Sequence, residues 1–162
     1  MNYRFLCSSH PFSVVHNSYL LQNSSRAVAF WQTGFDTAQV FCDDGQWSEA
    51  LPHIGCAYET AEIILTTKPI VTAGTFELMT SSTVLLAFTF LKLGNEEDAR
   101  DVYLASIKRL ESELSSGADY TELQPTLSFL YRCIENLMAN FSIPQPSVDQ
   151  LQNDGVVQGT WH

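Results

Sequence analysis

Basic residues are scarce in this chain. Eight Lys and Arg stand against 18 Asp and Glu in 162 residues, a formal net charge of −10. Such a balance repels phosphate backbones and anionic lipid, which argues against nucleic acid and membrane surfaces as partners. Cysteines are few and scattered. Cys7, Cys42, Cys56 and Cys133 form neither a CxxC pair nor a dense framework, so reduced, buried thiols are expected. Long apolar runs are missing too: the longest, around Val84 to Leu93, is broken by Thr89 and Lys92 and falls short of the ~20 residues that span a bilayer. The opening residues lack the basic start and apolar stretch of a secretion signal. The two glycosylation sequons, Asn23-Ser24-Ser25 and Asn140-Phe141-Ser142, then carry no meaning, and a cytoplasmic location is expected. There is no GxSxG, no P-loop and no glycine fingerprint of a dinucleotide site. No catalytic residue, cofactor or metal is expected.

What is present is helical periodicity. Apolar residues make up 45% of the chain and charged residues 16%, a balance typical of a globular fold. Residues 1–23 show no helical period and read as an extended arm. From there Ala27, Phe30, Trp31, Gly34, Phe35, Ala38, Phe41 and Cys42 recur every three or four residues, the apolar stripe of a helix that Gly45 closes. A second helix carries Trp47, Ala50, Leu51, Ile54, Ala57, Tyr58, Ala61, Ile64 and Leu65, with Pro52 kinking its first turns or moving its start later. The third, from about Thr75 to Leu93, is apolar on most sides, which suits a central helix covered by several neighbours. Gly94 ends it, and Asn95 reads as the N-cap of a fourth helix whose first turn is Glu96-Glu97-Asp98. That helix places Ala99, Val102, Tyr103, Ile107, Leu110 and Leu114 on one face, with Glu96–Arg100 and Arg109–Glu113 as i,i+4 ion pairs. It stops in the looser loop Ser115-Ser116-Gly117. A fifth helix is expected to start near Gln124 with Pro125 in its first position. Its stripe is Leu127, Leu130, Tyr131, Ile134, Leu137, Met138 and Phe141. The expected organisation is an arm at 1–23, a helical-hairpin domain at 24–141 and a polar tail at 142–162.

Two stretches of the chain match each other. Ala38, Phe41, Gly45, Ala50 and Ile54 align with Ala87, Phe90, Gly94, Ala99 and Tyr103 at a constant offset of 49 residues. The small alanines allow close helix crossings, and each glycine sits in a very short link. These residues resemble the tetratricopeptide repeat, whose hairpins carry a small residue and an aromatic late in the first helix, then a glycine leading into Trp/Tyr-x-x-Ala-Leu. Gly45-Gln46-Trp47-Ser48-Glu49-Ala50-Leu51 fits this well, and Gly94 to Arg100 less well. The resemblance covers about residues 25–116 and implies an all-α fold of about five helices, arranged as antiparallel hairpins in a right-handed array. The offset of 49 exceeds the family period of about 34 residues, and the family's proline is replaced by Glu62. An ordinary helical bundle with two similar glycine turns is the alternative.

The resemblance also implies that the first helix of each hairpin lines a concave groove. The matching positions are Gln32, Phe35, Gln39, Cys42 and Asp43 in the first hairpin, and Ser81, Val84, Phe88, Leu91 and Lys92 in the second. Lys92 alone is basic, so the family's carboxylate clamp is not expected. The groove suits an apolar or amphipathic segment of a partner protein, and the acidity favours a basic one; the alternative is that Val84, Phe88 and Leu91 are core, under the fifth helix or the arm. Other constellations point elsewhere. Cys7, His10 and His16 have loose zinc-ligand spacing without a fourth ligand. His53 and Cys56 share a helix face near Cys42 without an orienting third group, so both read as core or rim residues. The function expected is therefore a non-catalytic adaptor or chaperone-like module that binds a peptide or helix. The alternatives are a self-associating structural subunit, such as a homodimer, and an enzyme with no recognisable motif.

Overall fold

The computed structural model describes residues 24–67 and 73–142. Among these residues the fold is all-helical: α1 (Ser24–Asp43), α2 (Trp47–Thr67), α3 (Ala73–Lys92), α4 (Glu96–Ser115) and α5 (Tyr120–Ser142), with no strand. The expected arm and tail lie outside the described residues, as do Cys7, His10 and His16.

Each helix packs on its sequence neighbours, and α3 also packs on α5. Links of three residues join α1 to α2 and α3 to α4, which forces both pairs into antiparallel hairpins. Side-chain bonds then tie alternate helices. Trp31 Nε1 on α1 donates to Ser82 Oγ on α3 at 2.7 Å, and Tyr58 Oη on α2 lies 3.0 Å from Ser106 Oγ on α4. Helices α1, α3 and α5 therefore form one row, and α2 and α4 the other.

The turns repeat as the self-match does. Gly45 N–H donates to the Cys42 carbonyl and Gln46 N–H to that of Phe41; Gly94 N–H donates to Leu91 and Asn95 N–H to Phe90. This is the Schellman C-cap, with the glycine in left-handed conformation at φ 72° and 79°. Gly117 makes the same pair of bonds, to Leu114 and through Ala118 N–H to Glu113, at φ 97°. The loop expected to be looser is thus capped in the same way, without any sequence match. Ala38, Ala50, Ala87 and Ala99 have no exposed surface, and Gly34 fills the remaining close approach, where a Cβ would lie 3.2 Å from the His53 carbonyl oxygen.

Several local expectations are corrected. Asn95 makes no side-chain cap bond. Its N–H already completes the α3 cap, and so short a link leaves its backbone at φ −98°, ψ 70°. Arg100 pairs with Asp101 rather than Glu96, a surface contact of little energetic weight. Pro52 does not delay the start of α2, which begins at Trp47. Pro125 is the sixth residue of α5, not the first. The start lies further upstream because Asp119 Oδ1 accepts the Thr121 N–H at 2.8 Å and its hydroxyl at 2.7 Å, while Leu123 is fully buried. Those two bonds hold the exposed Asp119 carboxyl below its ordinary range.

On α5, Leu127, Leu130, Ile134 and Leu137 are buried as their spacing predicts, but Tyr131, Met138 and Phe141 are exposed. No sixth helix follows among the described residues to cover that edge, and the Tyr131 hydroxyl donates to the Glu111 carboxylate instead.

The central helix is α3, in contact with α2, α4 and α5. The stretch Gly74–Lys92 has the length and mean hydropathy (1.3) to cross a membrane, more than the short run at Val84–Leu93 indicates. Polar residues do not interrupt it because Thr80, Ser82, Thr83 and Thr89 turn their hydroxyls onto carbonyls one turn back, at 2.7–2.9 Å. Half of that stretch is buried inside the bundle.

Ser106 is the hub of the buried polar contacts. It donates to the Val102 carbonyl at 2.8 Å and meets Tyr58 Oη and Thr83 Oγ1 at 3.0 and 2.8 Å. Ser106→Ala is expected to cost about 1–3 kcal/mol, since it strands the Tyr58 hydroxyl in a dry site. Adding Tyr58→Phe should recover most of that loss in urea unfolding, because the orphaned group is then gone.

Glu62 on α2 is half-buried and feels the charge of Arg109, which itself bonds Glu113 on α4. Burial pushes the Glu62 carboxyl above its ordinary 4.5, and the nearby Arg109 only partly offsets this. A raised acid penalises folding once ionised, so stability is lost as pH rises through the raised value and regained below the ordinary one. Glu62→Gln should therefore melt higher than wild type at pH 7, with the gap closing as pH falls toward 4.5.

Candidate functional site

Three helices of the same row leave a groove between them. Phe35 from α1, Thr80, Ser81, Val84, Leu85 and Phe88 from α3, and Phe129 from α5 line an open volume of about 400 Å³. Positions 81, 84, 85 and 88 fall on one face of α3 by helical spacing, while Met79, Leu86, Ala87 and Phe90 point into the core. Phe35 is held by stacking on Trp31, ring centroids 4.9 Å apart and nearly parallel. Phe88 and Phe129 remain 43% and 40% exposed on the open side.

One end of the groove is built by the first turn of α2. Trp47 meets Phe88 edge to face at 5.5 Å, and Lys92 Nζ lies 5.2 Å from the Phe88 ring centroid and 5.7 Å from that of Trp47. Each exposed cation–ring contact contributes about 0.5–1 kcal/mol. The cluster holds Phe88 in one orientation and sets a positive charge one turn beyond it.

Of the positions implied by the family resemblance, Phe35, Ser81, Val84 and Phe88 line this groove, with Lys92 beside it. The others do not. Cys42 is buried, its sulfur 3.8 Å from Thr89 Oγ1, because α1 turns that face toward α3. Leu91 is half-buried against the core. Gln32 and Gln39 are exposed outside the lining, and Gln32 Nε2 donates to the Asp36 carboxylate at 2.7 Å. Asp43, beside the turn, is exposed as well. Residues that sequence reasoning missed are Thr80, Leu85, Trp47 and Phe129. Phe129 had a signal: it is a large aromatic lying off the α5 stripe.

None of the seven lining side chains titrates. The groups with displaced protonation lie elsewhere: burial pushes the Cys42 and Cys133 thiols up and raises Tyr103 to about 12, while the hydrogen bond to Glu111 raises Tyr131. His53 stacks on Phe41 at 5.4 Å. Among the described residues no group of three or more His, Cys, Asp or Glu is placed to hold a metal ion. A smaller cavity of about 210 Å³ lies where α4 begins and α5 ends, between Glu96, Glu97, Arg100, Leu137, Met138 and Phe141. The larger groove offers shape, apolar surface and one flanking cation, which is equipment for non-covalent binding. Compared with protein-family models, with curated proteins and with solved structures, the chain matches none.

Proposed function

We propose that this chain is a non-catalytic protein-interaction module that receives an apolar or amphipathic segment of a partner in the groove between α1, α3 and α5. The observation that carries this reading is the joint exposure of Phe88 and Phe129 across one concave surface. Clustered aromatic exposure costs solubility and marks interaction sites in folded proteins, whereas scattered apolar residues carry no such meaning. The paired glycine turns and fully buried alanines support a tetratricopeptide-like ancestry for the hairpins, in which first helices supply the binding surface. The groove is about as long as three turns of α3, from Thr80 to Lys92. An amphipathic helix with anchors at i, i+3 or i+4 and i+7 suits that length.

The test is affinity capture from a cell extract with wild type, Phe129→Asp and Tyr131→Asp. Tyr131 is 42% exposed on the same helix but does not line the groove. A partner retained by wild type and Tyr131→Asp but lost by Phe129→Asp is the expected result. Equal retention by all three variants refutes the groove as the binding surface.

A further inference from the structure

We infer that the groove is occupied in the free protein by the chain's own N-terminal segment, residues 5–19, which a partner must displace. The inference rests on the groove being a docking surface and names its resident occupant.

Connectivity comes first. Residues 1–23 lead directly into α1, and α1 supplies Phe35 to the groove. Eleven helical residues separate Ser24 from Phe35, about 16 Å along the axis. A segment of 23 residues spans up to about 75 Å when extended, so it can double back and run the length of the groove. Being tethered, it competes at an effective concentration that for short flexible links is about millimolar.

Composition is the second argument. None of the 18 acidic residues precedes Asp36. Residues 1–23 carry Arg4 as their sole Lys, Arg, Asp or Glu, and residues 5–19 carry none. Phe5, Leu6, Phe12, Val14, Val15 and Tyr19 supply apolar and aromatic side chains for Phe35, Phe88 and Phe129. An uncharged, largely apolar segment thus matches a groove whose lining carries no charge. The other terminal segment, 143–162, contains Asp149 and Asp154 and no Lys or Arg. Its two acids suit an uncharged lining less well, so it is the poorer match.

The experiment uses the full chain with a photo-activated benzophenone amino acid at position 129 and, in a second variant, at position 81. After irradiation of a dilute sample and trypsin digestion, mass spectrometry identifies the attached peptide. The expected product joins the crosslinker to Phe5–Arg26, and Phe12→Asp should lower its yield at least fivefold. Mixing isotope-labelled and unlabelled chains should leave the product within single chains. Attachment to Cys133–His162, attachment between labelled and unlabelled chains, or no intramolecular product at either position overturns the inference. Such a failure, with partner capture still lost in Phe129→Asp, leaves the docking reading standing and removes only the occupant.

Discussion

Replacing Phe88 by aspartate is expected to abolish partner capture while lowering stability by about 1–3 kcal/mol and leaving the fold intact, whereas Phe90→Asp, two residues later, should unfold the protein. The two side chains share a helix and a residue type but not an environment: Phe88 is 43% exposed and Phe90 3%. Complete burial of a phenylalanine contributes about 1.5–3 kcal/mol, and Phe88 has only about half of that at stake. Its replacement also loses the edge contact with Trp47 and the ring under Lys92. The new carboxylate, four residues before Lys92, recovers about 0.3–0.5 kcal/mol as a helix ion pair. At position 90 the same change empties a core site and buries an unpaired charge, a loss of more than about 5 kcal/mol and comparable to the whole stability of a small domain. Circular dichroism melts and capture assays on the two variants separate the outcomes. A strong loss of helix in Phe88→Asp would show that Phe88 is structural and remove it from the binding surface.

Gly94→Val and Gly117→Val are both expected to destabilise by about 2 kcal/mol or more, with Gly117 at least as sensitive. A Cβ at either position meets nothing within 4 Å, so the loss is backbone strain and not a clash. The left-handed region costs about 1–2 kcal/mol for an ordinary side chain, and β-branching adds to this. Gly117, at φ 97°, lies further than Gly94 from the left-handed minimum that side chains tolerate. Urea unfolding of both variants checks the ranking. Negligible loss at either site would mean that its Schellman turn relaxes freely into another conformation.

Much of the fold was legible in the residues because short-range physics decides it. The 3.6-residue recurrence of Ala27, Trp31, Ala38 and Cys42, or of Ala99, Val102, Tyr103 and Leu110, requires a helix with one buried face whatever covers it. Glycine is the residue that a tight left-handed cap selects, so Gly45 and Gly94 marked their turns directly. What remained illegible depended on groups brought close from afar. Pro125 signals a first helical position by itself, and only the Asp119 cap together with the burial of Leu123 extends α5 upstream of it.

The candidate site divides in the same way. The sequence by itself determined that α3 carries more apolar surface than one packing face uses; the family resemblance named Phe35, Ser81, Val84 and Phe88 as groove positions, together with Gln32, Gln39, Cys42 and Leu91, which do not line it. The tertiary structure alone decided which side of each helix meets a neighbour. It turned Cys42 inward onto Thr89, set Leu91 against the core, brought Phe129 from α5 across the gap, and laid Trp47 and Lys92 at the groove's end. The physical reason is that periodicity reports the width of an apolar stripe but not its occupant. A stripe wider than one contact looks the same in sequence whether its edge is core or open groove, and only the packing of α1, α3 and α5 tells the two apart.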